Sequence, residues 1–265
     1  MVTTVNCREP RAWPRMRMSV AQEPEFDAKK SAQHVVDLTG LLHATASSIR
    51  SEYISALAMY CAGKPDFAKG YLNRAAYVYQ TYGTEENYNR VAPHTPEVAT
   101  YNRGISVTYF AFVKLALHGE WDINFLREGL QDMHAYLMEQ TYDESCAYKH
   151  EDEDRLFTIL CQMAIDDYGK AADWLDGYIK HRKLKKIKEN FPELLAGIQA
   201  QLKMGRNEIA PDLKTYFDQN RLGTYQFRES QSFWICVPIA VLIERISSGR
   251  QNDLTWEHVL EQLLY

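Results

Sequence analysis

A short pattern recurs along the chain: Gly, two residues, an acid, then an apolar residue. It reads GKPDF from Gly63, GEWDI from Gly119 and GRNEI from Gly205, and with one residue more GKAADW from Gly169 and GRQNDL from Gly249. Each copy follows an apolar stretch with helical spacing and precedes another. In one such stretch Leu156, Ile159, Leu160 and Met163 fall at i, i+3, i+4, i+7; Ile49, Tyr53, Ala56, Leu57 and Tyr60 form a second face of the same kind. Gly closes a helix in the left-handed conformation, and an acid opening the next helix is favoured by its dipole. The pattern predicts an all-α fold: stacked antiparallel helical hairpins forming a single irregular, TPR-like helical domain. Successive glycines lie 56, 50, 36 and 44 residues apart, too irregular for a strict solenoid, so a true repeat and five unrelated hairpins both stay open.

The β-branched run ISVTYFAFVKLAL, residues 105–117, is the one stretch that could pass for a strand. Its length and its continuation into HGEWD predict a helix ending near Gly119. The longest apolar run, Phe233 to Ile243, has eleven residues. A bilayer needs roughly 20, so a buried helix bent at Pro238 is expected. Pro96 and Pro192 are placed to open helices. Residues 81–104, with two prolines and two glycines, are the longest candidate loop. Residues 1–26 read as a loosely ordered N-terminal arm without the apolar core of a secretory signal, and residues 27–265 as one all-helical domain.

A net charge of −5 argues against a general nucleic-acid binder and suits a basic protein partner. The cysteines, Cys7, Cys61, Cys146, Cys161 and Cys236, are odd in number and form no C-x-x-C pair. They point to reduced thiols in the cytoplasm rather than to a zinc or redox motif. P-loop, G-x-S-x-G, G-x-G-x-x-G and H-E-x-x-H patterns are missing, so no enzyme activity, cofactor or metal is expected.

The densest charge lies in YKHEDEDRLFTILCQMAIDDYGKAADWLDGYIKHRKLKKIK, residues 148–188. Glu151, Asp152, Glu153 and Asp154 precede the Leu156 helix, where carboxylates favour a first turn. Helix capping, a docking face for a basic partner, and a metal site using His150 and Asp154 are three readings of these acids. Asp166 and Asp167 close that helix, where the dipole disfavours them, which makes them the better clue to a docking face. The basic run Lys180 to Lys188 reads as a solvated helix face. Seven tyrosines, Tyr71, Tyr77, Tyr79, Tyr82, Tyr88, Tyr101 and Tyr109, crowd into 39 residues. Those in the 81–104 segment are candidate interface anchors. The candidate partner-binding set is therefore Asp152, Glu153, Asp166, Asp167, Tyr82, Tyr88 and Tyr101.

Three segments carry a resemblance. SFWICVPIAVLIERISSGRQNDLTWEHVLEQLL has an apolar helix with an embedded Pro-apolar-Ala, a Gly-ended turn, and a closing helix with Glu257 and paired leucines. It resembles the end of the immunity protein 49 family. NRGISVTYFAFVKLALHGEWD and DEDRLFTILCQMAIDDYGKAADWLDGYI resemble, in order and spacing, that family's central helices. The resemblance spans about residues 40–265. It implies an all-helical cytoplasmic protein that binds and neutralises a cognate bacterial toxin, with no cofactor, nucleic acid or membrane and with self-association left open. The alternative is a helical-repeat regulator or scaffold holding a peptide in a concave groove.

Overall fold

The computed structural model describes residues 28–91, 96–139, 149–180, 191–224, 233–248 and 254–265. Among them there are eleven α-helices and no strand: α1 Ala28–Cys61, α2 Pro65–Tyr82, α3 Glu85–Val91, α4 Pro96–His118, α5 Ile123–Glu139, α6 Lys149–Ala164, α7 Tyr168–Lys180, α8 Pro192–Met204, α9 Pro211–Asn220, α10 Cys236–Ser248 and α11 Trp256–Leu264. Four of these helices begin with Pro, at residues 65, 96, 192 and 211. At that position the missing N–H has no intrahelical partner to lose and the fixed φ suits the helix.

The recurring Gly pattern marks the turns of hairpins. Helices α1/α2, α4/α5, α6/α7, α8/α9 and α10/α11 pack in sequence-adjacent pairs. Gly63 and Gly119 both take φ 68°, as a left-handed helix stop requires. The amide of Gly63 donates to the Tyr60 carbonyl and that of Lys64 to the Met59 carbonyl, a Schellman closure. In the third hairpin the register differs: Gly169 lies inside α7, and Asp166 takes the left-handed position at φ 68°. The Gly249 turn and the 1–26 arm lie outside the described residues.

The run at 105–117 is helical, and α4 stops at His118 as expected. Close approach of α4 and α5 depends on Gly129, where a Cβ would stand 2.8 Å from the Thr108 amide nitrogen. Two expectations are corrected. Pro238 does not stand in mid-helix, where it would break a hydrogen bond: Phe233–Ile235 form a 3₁₀ turn, α10 begins at Cys236, and Pro238 falls in the first turn, where N–H groups lack intrahelical partners. The 81–104 segment is no long loop, because α3 and the first turns of α4 occupy most of it.

The hairpins also fail to run on as an open row. In a repeat array each unit touches its neighbours. Here α10 packs against α6 of the third hairpin, and Trp256, opening α11, lies 6.5 Å and 6.2 Å from Tyr53 and Tyr60 of α1. The last hairpin thus closes onto the first. Helix α6 sits at the centre, against α5, α7 and α10, and from Asp152 to Ile165 no residue is more than 4% exposed. No described helix is long and apolar enough to cross a membrane.

Candidate functional site

The acids at the start of α6 are inside the protein. Asp152, Glu153 and Asp154 are all buried, which corrects the expectation that Asp152 and Glu153 form an exposed docking face. Their location in the first turns of α6 favours negative charge through the dipole, but burial of ions demands specific partners as well. Asp154 has three contacts. Arg50 of α1 places Nη2 3.1 Å from Oδ1 and donates from Nη1 to Oδ2 at 3.3 Å. The Tyr101 hydroxyl of α4 donates to Oδ2 at 2.5 Å. Tyr101 is stacked on Tyr136 at 4.2 Å, so it is a ligand of the cluster and not a surface anchor.

The Arg50 guanidinium lies 5.5 Å from the ring centroids of both Tyr109 and Trp234. Burial works against its charge, but Asp154, Tyr109 and Tyr101 together outweigh it and hold Arg50 firmly protonated. Arg155 pairs with Asp152 at 2.8 Å, with both side chains fully buried, and its Nη2 donates to the Leu137 carbonyl at 3.4 Å. Arg155 also lies over the Tyr178 ring. The Tyr178 hydroxyl bonds to His134 Nδ1 at 2.9 Å and reaches Thr158 Oγ1 at 3.3 Å. His134 is stacked on Trp174 at 3.9 Å, with the planes 4° apart. Burial, then the charge of Lys170, lowers its pKa to about 4, so it is neutral at pH 7.

This arrangement fixes α6 in place: every contact named above joins it to α1, α4, α5 or α7, or extends such a contact. Among the described residues, no group of His, Cys, Asp and Glu could hold a metal ion. The side chain of His150 lies outside them, as do residues 181–190 of the basic run.

The remaining expected residues scatter. Tyr88 is buried; its hydroxyl is 2.6 Å from Ser106 Oγ, pinning α3 to α4, so it is no interface anchor. Tyr82 is partly exposed at the end of α2 and its carbonyl accepts from Asn87 at 3.1 Å. Asp167 accepts the Lys170 amide at 3.2 Å. It therefore caps the start of α7, and the expected conflict with a helix dipole does not arise. Asp166, partly exposed, pairs with Arg206 at 3.0 Å.

Sequence reasoning missed the surface feature that stands out. On α2, Ala68, Leu72, Ala75 and Ala76 are buried, while Phe67 and Tyr77 are 65% and 64% exposed. Phe67, Gly70, Arg74 and Tyr77 follow one another at i, i+3, i+7, i+10, a single outer stripe. A Cβ at Gly70 would meet nothing, so the stripe has an open notch between its aromatic ends. Arg74 is held over the Tyr71 ring at 4.2 Å and bonded to Glu52 at 3.0 Å. The signal was legible: two large aromatics on the polar side of an amphipathic helix. Comparisons with family models, curated proteins and solved structures find no match to this chain.

Proposed function

We propose that this chain is an immunity protein that binds and neutralises a cognate toxin by protein–protein contact, with the outer face of α2 as its docking surface. The toxin part of the reading rests on the resemblance of three segments to the immunity protein 49 family. The observation that supports docking is the α2 stripe. Exposed aromatic side chains on a rigid helix give large contact area at low entropic cost, and such residues dominate binding energy at interfaces. Arg74, already held by Glu52 and Tyr71, adds a charged group that loses little freedom on binding. The buried cluster on α6 contributes indirectly, by keeping the hairpins that carry α2 in place. The closed packing of the last hairpin on the first favours this reading over a peptide-binding superhelix.

The test is calorimetry of the purified chain against the toxin encoded beside its gene. Tight binding is expected, and Phe67→Ala with Tyr77→Ala should weaken it by about a hundredfold, roughly 2.7 kcal/mol. No binding to that toxin would refute the function. Undiminished binding of the double variant would refute the surface and keep the function.

A further inference from the structure

We infer that the pocket where the third, fourth and fifth hairpins meet binds a small oxyanion, a carboxylate or a phosphate group. Its lining comes from three hairpins: Asp166 and Tyr168 from the α6/α7 turn, Arg206 from the α8/α9 turn, and Arg245 from α10, with Met163, Leu242 and Ile246 as apolar walls. The cavity is about 70 Å³. A single water needs roughly 10–15 Å³, so there is space for a small polyatomic anion.

The charge balance gives the sign of the ligand. Two guanidinium groups face one carboxylate. Asp166 is committed to Arg206 at 3.0 Å. Arg245 donates from Nη1 to the Ala164 carbonyl, a neutral partner, and a guanidinium has five donors in all. Burial depresses the pKa of Arg245 despite the opposing effects of Asp166 and Tyr168, so its charge is incompletely offset. Tyr168 also lines the cavity, with its hydroxyl turned to Gln201 and away from solvent. An oxyanion here would accept from both arginines. Planar guanidinium forks suit carboxylate and phosphate geometry.

Asp166 is the competitor that an anion must displace from Arg206. It takes the left-handed conformation that Gly63 and Gly119 take at the equivalent turns. A carboxylate stands where glycine is easiest, and it is paired with Arg206. This inference is independent of the α2 reading, since it concerns a different surface and a different ligand.

The full chain should be titrated calorimetrically with inorganic phosphate and, separately, with acetate, at constant ionic strength in chloride. Saturable binding of either anion is expected, and which of the two saturates identifies the group. Arg206→Gln and Arg245→Gln should each weaken binding by about tenfold, within the range for hydrogen bonds to charged groups. Arg206 is exposed, so its variant remains a valid test where Arg245→Gln does not fold. Asp166→Asn should strengthen binding severalfold, because Asn tolerates the same backbone conformation and removes the competing charge. Absence of saturable binding by both anions would overturn the proposal. So would unchanged affinity in Arg206→Gln together with unchanged or weakened affinity in Asp166→Asn.

Discussion

The two ends of α6 carry the same residue type in opposite circumstances. At its start Asp152 and Asp154 are buried and bonded to Arg155, Arg50 and Tyr101. Just past its end Asp166 and Asp167 are partly exposed, one bonded to Arg206 and one capping α7. Through Asp154 the first pair ties α6 to α1 and α4 inside the protein, while Asp166 ties the α6/α7 turn to the α8/α9 turn at the surface and Asp167 acts within its own turn. Acid count and helix dipole do not separate the two; only the burial of the partner groups does.

The largest expected effect is at the buried end. Asp154→Ala leaves the Arg50 guanidinium enclosed by aromatic rings without its carboxylate, and should destabilise the fold by about 3–5 kcal/mol in urea unfolding followed by helical circular dichroism. A loss below 1 kcal/mol would mean that the two ends are energetically alike. Charge reversal at Asp152 and Glu153, both buried, should likewise disrupt folding and not merely binding.

His134 links the buried cluster to pH. Its pKa is about 4 when folded and roughly 6.5 in an unfolded chain. Between those values the unfolded state takes up the proton more readily. Stability contributed by neutral His134 is therefore fully present above about pH 6.5 and is lost as pH falls toward 4. The expected loss is up to about 2 kcal/mol, allowing for partial solvent screening. In His134→Phe, which preserves stacking on Trp174, stability measured from pH 7 to pH 4.5 should fall less steeply than in the wild type. Equal slopes would assign the acid sensitivity elsewhere.

At the far end the effects shrink. Asp167→Ala removes a helix cap and should lower stability by about 1 kcal/mol. Arg206→Ala breaks an exposed ion pair and should change stability by no more than roughly 0.5 kcal/mol. If thermal melts placed Arg206→Ala beside Asp154→Ala, the contrast between the two ends would collapse.

Much of the fold was legible because its signals are local. Helical spacing around Leu156 and Ile49, the glycines at 63 and 119, and the prolines at 96 and 192 each act over a few residues. The Gly169 copy misled because Asp166, which also tolerates a left-handed backbone, closes that helix three residues earlier. Tyr88 and Tyr101 misled for a different reason: a turn-rich composition suggested a loop, and both lie on helices with their hydroxyls turned inward. The α2 stripe escapes a reading by composition because Tyr77 is one tyrosine among seven, and only the helical face it shares with Phe67 sets it apart.

What the sequence by itself determined is most of the helices, the turns at Gly63 and Gly119, and the all-α class, since backbone hydrogen bonds, caps and periodicity are settled between near neighbours in the chain. Only the tertiary structure decided that the array closes on itself, that α6 lies at its centre, and that its first acids are interior. The partners that make such burial tolerable are remote: Arg50 is 104 residues from Asp154, and Tyr101 is 53. A charge can leave water only where opposite charge and hydrogen bonds meet it, and that meeting depends on how distant helices pack.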